Sequence, residues 1–103
     1  MKNSTRRVRW DAEAMLARFD DQSARLSPQD AAVFCALATH PGVVRSKKQL
    51  VDMIYWDRQE PPKTATRMIA LSIMRIRRAL PSLKIVTRKK YGFVIDLTGE
   101  HAR

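Results

Sequence analysis

Between Pro62 and Pro81 the apolar residues Ile69, Ile73, Ile76 and Leu80 recur at intervals of four, three and four. That spacing keeps them on one face of an α-helix at about 100° per residue. Pro81 forbids continuation, so the pattern predicts a helix over about 64–80. Its opposite side collects Arg67, Met68, Leu71, Met74, Arg75 and Arg78, a mixture of guanidinium groups and apolar side chains that a solvated face seldom carries. Two shorter helices are predicted ahead of it. One opens at Ser27, with Pro28 in the first helical position and Asp30 three residues after the cap, runs through Val33, Phe34, Leu37 and Ala38, and stops at His40-Pro41-Gly42. The next opens at Ser46 with Gln49 in the reciprocal capping position, turns Leu50, Val51, Met53 and Ile54 inward, and ends near Tyr55 or Trp56. After Pro81, the runs Lys84–Thr87 and Phe93–Leu97 are β-branched and aromatic, and Arg88-Lys89-Lys90-Tyr91-Gly92 joins them. With Gly92 able to adopt a positive φ, this reads as a hairpin with a basic tip.

The first 26 residues support two readings. Asp11–Phe19 contains strong helix formers, and local propensity favours a helix there. Val8-Arg9-Trp10, Leu16–Phe19 and Ala24-Arg25-Leu26 also read as short strands, with turns at Ala12-Glu13-Ala14 and Asp20-Asp21-Gln22. Trp10 and Phe19 are expected in the core under either reading, and Cys35, mid-helix, is expected to be a buried small hydrophobe. Tyr55 and Trp56 close the second helix, where they can pack or support a backbone contact.

Composition narrows the function classes. A chain of 103 residues, 45% apolar, is expected to form one domain with an ordinary core, leaving no room for separate substrate and cofactor domains. Cys35 is the only cysteine, so no intrachain disulfide can form, and a metal site would have to draw on that thiol, His40, His101 and carboxylates. Neither a metal nor a cofactor is expected. No apolar run approaches the roughly 20 residues that span a bilayer, and the basic N-terminus lacks a following apolar signal region, so a soluble, cytoplasmic protein is expected, with no membrane partner. Without a glycine-rich phosphate loop, metal-ligand spacing or a paired acid and base, an enzyme is not expected.

The distribution of charge carries more than its sum of +10. Trp10–Pro62 holds six basic and eight acidic residues, as any globular surface does. Lys63–Phe93 holds nine basic residues (Lys63, Arg67, Arg75, Arg77, Arg78, Lys84, Arg88, Lys89, Lys90) and no acid. Such a segment either faces a polyanion or repels itself. Lys2, Arg6, Arg7 and Arg9 add a basic N-terminal group, with residues 1–6 expected as a flexible arm and 98–103 as a flexible tail.

Two capped helices, a long basic helix and a basic-tipped hairpin describe an α+β winged helix-turn-helix, whose third helix enters the major groove and whose wing reaches adjacent phosphates or the minor groove. The residues Leu26–Asp30, His40–Leu50 and Ile73–Leu80 resemble the OmpR/PhoB-type DNA-binding output domain of bacterial response regulators, and the similarity covers nearly the whole chain. A small N-terminal antiparallel sheet belongs to that family, so the resemblance favours strands over 8–26 and gives a three-helix core between that sheet and a C-terminal β-hairpin wing. It also implies that Arg67, Leu71, Ser72, Met74, Arg75 and Arg77 line the reading face of the recognition helix, to which the wheel adds Arg78. The implied wing contacts are Thr87 and Lys89; the basic tip adds Arg88 and Lys90, and Lys47, Lys48, Trp56 and Lys63 are expected as further backbone contacts. Met74 stands where relatives often carry arginine, Ser72 where they often carry histidine, and Phe93 where a tyrosine usually follows the wing glycine, so a distinct base preference is expected. The loop Trp56–Lys63 is about three residues longer than usual; in the family it can contact RNA polymerase. Head-to-tail homodimers on direct repeats are a further implication. The family's receiver domain is absent from the sequence, which implies a stand-alone regulator of double-stranded DNA. The competing reading is a protein-interaction module, an adaptor or inhibitor gripping RNA polymerase or another regulator, supported by Met68, Leu71 and Met74 on the presumed reading face.

Overall fold

A computed structural model describes residues 8–97, and the expected basic arm 1–6 and tail 98–103 lie outside them. The N-terminal ambiguity resolves to strands. β1 (Val8–Asp11), β2 (Leu16–Phe19) and β3 (Gln22–Arg25) form an antiparallel sheet in that order, with Trp10 opposite Ala17 and Leu16 opposite Arg25. Helix propensity over 11–19 loses because β2 alternates: Ala17 and Phe19 point into the core and Arg18 points away. The turns contain the left-handed residues Met15 (φ 58°) and Asp20 (φ 53°), which interrupt any helix. Asp11 fixes the first turn. Its Oδ1 accepts from the Ala14 amide at 3.1 Å, and its Oδ2 accepts from Nε and Nη2 of Arg18 at 3.2 and 3.1 Å. The Ala14 bond first, then the Arg18 bonds, hold the Asp11 carboxyl below its ordinary pKa.

The helices follow the caps. α1 (Pro28–Ala38) starts behind Ser27, whose Oγ accepts from the Asp30 amide at 3.2 Å. α2 (Lys47–Ile54) carries the full reciprocal box, Gln49 N–H to Ser46 Oγ at 3.0 Å and Ser46 N–H to Gln49 Oε1 at 2.8 Å. α3 (Ala65–Ala79) ends at Leu80, one residue before Pro81. β4 (Ile85–Arg88) and β5 (Gly92–Ile95) pair antiparallel as the wing, one residue out of frame at each strand start from the runs read in the sequence.

The core lies where α1, α2 and α3 meet the two sheets. Phe19, Phe34, Leu37, Leu50, Ile95 and the predicted stripe Ile69, Ile73, Ile76 and Leu80 are fully buried. Trp10 is half-buried against this cluster, its ring 6.4 Å from that of Phe34. Cys35 is also half-buried rather than enclosed, and burial raises its thiol pKa. The segment between α1 and α2 runs beside β5: Arg45 and Phe93 exchange both backbone hydrogen bonds, at 2.8 and 2.9 Å, and the Gly42 amide donates to the Ile95 carbonyl at 2.9 Å. The base of the wing is therefore tied to the approach to α2. Its orientation relative to the helices is fixed by backbone pairing.

Candidate nucleic-acid interface

The helical wheel of α3 divides into four sectors. Ala65, Ile69, Ser72, Ile73 and Ile76 face the core. Arg67, Leu71, Met74 and Arg78, again spaced four, three and four, are exposed and form an outward stripe. Arg75 and Arg77 lie on the two flanks between stripe and core. Ser72 does not reach the interface expected of it: its side chain is fully buried and its Oγ has no hydrogen-bond partner. The reason was open to sequence reasoning, since Ser72 lies three residues after Ile69 and four before Ile76. A histidine side chain at that position would have to leave the core, whereas serine is small enough to stay.

The flank arginines brace the helix. On one side, Arg75 Nε donates to Oδ2 of Asp30 in α1 at 3.0 Å. On the other, Arg77 donates from Nε and Nη2 to the Ile85 carbonyl at 3.0 and 2.6 Å, and from Nη2 to Thr87 Oγ1 at 2.9 Å. Arg77 and Thr87, both expected at DNA by resemblance, thus join α3 to the first strand of the wing. Arg67 and Arg78 form no ion pair or hydrogen bond among the described residues.

The wing tip and the start of α2 form a second basic surface. Lys47 and Lys48 line one part of a groove of about 480 Å³, and Thr87, Arg88, Lys89, Lys90 and Tyr91 line the rest, above Ser46, Gly92 and Phe93. Lys48 also makes an exposed pair with Asp52 at 3.3 Å, a contact that solvent weakens. Lys90 takes φ 76° in the tip, which turns the chain back towards β5. Tyr91, 71% exposed at this tip, was not singled out in the sequence; its place in the turn between Lys90 and Gly92 was the available signal. Lys63 and Trp56 are exposed in the segment that joins α2 to α3, Trp56 to 80%. Tyr55 instead turns inward, its hydroxyl donating to Gln29 Oε1 at 3.4 Å while the Arg58 guanidinium lies 5.7 Å from its ring centre. Arg67 and Arg78 on the stripe and Lys47 at the start of α2 are thus carried by two helices that pack on each other, and three consecutive cations by a wing tied to α3 through Arg77 and to the approach to α2 through Arg45 and Phe93.

Among the described residues no helix is long and apolar enough to cross a membrane, and no group of three His, Cys, Asp or Glu is placed to hold a metal ion. Three helices preceded by a small antiparallel sheet and followed by a hairpin that stands beside the third helix define a winged helix-turn-helix. A family model described as "Transcriptional regulatory protein, C terminal" matches residues 21–95, and the chain belongs to this OmpR/PhoB-type family of effector domains. It is a family of transcriptional regulators and not a catalytic one. Curated proteins gave no match.

Solved structures share the fold at low identity. The DNA-binding domain of Bacillus subtilis CssR superposes with a TM-score of 0.69 at 19% identity, over 85% of this chain and 98% of that one. The C-terminal DNA-binding domain of RstA from Klebsiella pneumoniae gives 0.70 at 19% identity, over 93% and 90%. The DNA-binding domain of Escherichia coli CadC gives 0.70 at 19%, over 94% and 95%.

Proposed function

We propose that this domain is a sequence-specific regulator of transcription that binds double-stranded DNA, with α3 in the major groove and the wing, 87–93, on the backbone or in the minor groove. The observation that carries the reading is the outward stripe of α3, where Arg67 and Arg78 bracket exposed Leu71 and Met74 on an element with no acidic residue. Arg67, Arg78, Lys47, Lys48, Lys63, Arg88, Lys89 and Lys90 supply phosphate contacts that set register. Leu71 and Met74 suit thymine methyl groups, and Arg75 suits a base edge. Arg77 and Thr87 act by holding the wing against α3. That the CssR, RstA and CadC domains are DNA-binding domains supports the same reading.

Leu71 and Met74 would also suit a protein partner, but cations flank them along the stripe and on the wing beside it, which favours a polyanion. Contact of the loop carrying Trp56 with RNA polymerase and head-to-tail pairing on direct repeats extend the proposal, and a cytoplasmic site of action follows from it.

Selection of bound fragments from a random duplex pool is the test. It is expected to return a defined motif. Lys89→Ala should weaken the selected duplex and an unselected one alike and reduce the salt dependence of binding by about one unit of log–log slope. Recovery of no motif, with an unchanged slope for the variant, would favour the interaction-module reading.

A further inference from the structure

We infer that Asp30, which is too enclosed to touch DNA, is the positioning residue that makes Arg75 the base reader of α3. The inference rests on the DNA-binding reading above and assigns within it which arginine carries selectivity.

Asp30 is three residues past the Ser27 cap, where an acidic side chain often turns back to the cap's own amide. Here it crosses to α3 instead. The residue is 4% exposed, its Oδ2 meets Arg75 Nε at 3.0 Å, and its Oδ1 is buried with no hydrogen-bond partner. A carboxylate desolvated to this degree requires a cation, and Arg75 is its only ion-pair partner among the described residues. Arg75 therefore cannot swing away without stranding a buried charge.

The atom used for the bond decides the consequence. Because Asp30 engages Nε, Nη1 and Nη2 are taken by no other described residue, and the side chain is still 47% exposed. Those two nitrogens present the parallel N–H pair that matches O6 and N7 of a guanine in the major groove. The rotamer entropy of the long side chain is lost on folding and need not be lost again on binding.

None of the other α3 arginines combines these properties. Arg77 commits Nε and Nη2 to Ile85 and Thr87. Arg67 and Arg78 are unrestrained among the described residues, which suits phosphates distributed along a backbone rather than one base edge. Leu71, one turn before Arg75, and its neighbour Met74 place methyl-seeking surface beside it, so the expected core of the site is a guanine next to thymine.

The test compares full-length wild type, Asp30→Asn, Asp30→Glu, Arg75→Ala and the Asp30→Asn/Arg75→Ala double variant. Each is scored for base preference by selection from a randomised duplex pool and for affinity to one unselected duplex. Asp30→Asn is expected to keep affinity for the unselected duplex within about twofold and to lose about tenfold preference for guanine at a single position. That position should be the one lost in Arg75→Ala, the double variant should lose no more than Arg75→Ala, and Asp30→Glu should recover part of the preference. Retained guanine preference in Asp30→Asn, or an equal loss at every position, overturns the inference. Wild type that binds no duplex overturns the DNA-binding reading itself. A readout that needs no variant guards against unfolding: the Arg75 Nε–H should exchange slowly with solvent in the free wild-type protein and that of Arg67 quickly, and equally fast exchange contradicts the pairing.

Discussion

Gly92→Ala is expected to destabilise the domain by about 3 kcal/mol or more, with the loss visible as a lower urea midpoint. Two costs coincide at this position. Its φ of +133° lies where side chains are disfavoured, and an added Cβ would penetrate the Arg45 carbonyl group and lie 2.7 Å from Ser46 Cα. Neither neighbour can yield cheaply. Arg45 is paired with Phe93 through both backbone hydrogen bonds, and Ser46 is the cap of α2. Any displacement would move the wing, the start of α2 and the groove between them together. Gly42→Ala provides the contrast. Its φ is +88°, yet nothing lies within 4 Å of an added Cβ, so only the backbone penalty of about 1 kcal/mol should be measured.

The second large effect concerns salt. Raising monovalent salt from about 50 to about 200 mM should lower duplex affinity about 4000-fold, a log–log slope near −6. The figure follows from exposed cations on adjoining elements: Lys47 from α2, Lys63, Arg67 and Arg78 from the α3 region, and Arg88, Lys89 and Lys90 from the wing. Each phosphate neutralised releases a fraction of a condensed counterion, so the slope counts simultaneous contacts rather than total charge. Had these residues been spread around the molecule, only a few could touch one duplex and the slope would be shallow. Replacing Arg88, Lys89 and Lys90 together by alanine should bring the slope down by about three units while leaving folding intact, since none makes an ion pair among the described residues.

The helices were legible because their signals are local. Ser27 and Ser46 cap, Pro81 stops, and the Ile69-Ile73-Ile76-Leu80 stripe names its own buried face. The N-terminal sheet was legible only through resemblance, because Asp11–Phe19 has helix propensity and the burial of Ala17 and Phe19 that overrides it is a tertiary effect. Within the interface, the wheel's six residues divide: Arg67, Leu71, Met74 and Arg78 form the outward row, whereas Met68 is half-buried and Arg75 lies on the flank. Carrying Ser72 over from the family overrode that wheel, and the wheel was the better guide. Asp30 was readable as a cap residue and nothing more, since its true partner is 45 residues away and no local rule joins them. The same holds for Arg77, whose acceptors in β4 become neighbours only when the wing packs beside α3.

The proposed function requires that the outward row of α3, the start of α2 and the tip of the wing meet one DNA duplex together. Backbone amide shifts in a ¹⁵N-labelled sample titrated with a selected duplex report on that contact directly. The account predicts that the largest changes fall on Arg67, Leu71, Met74, Arg75 and Arg78, on Lys47 and Lys48, and on Arg88–Tyr91, while β1–β3 stay nearly still. Changes centred on β1–β3, or none on α3, would contradict it.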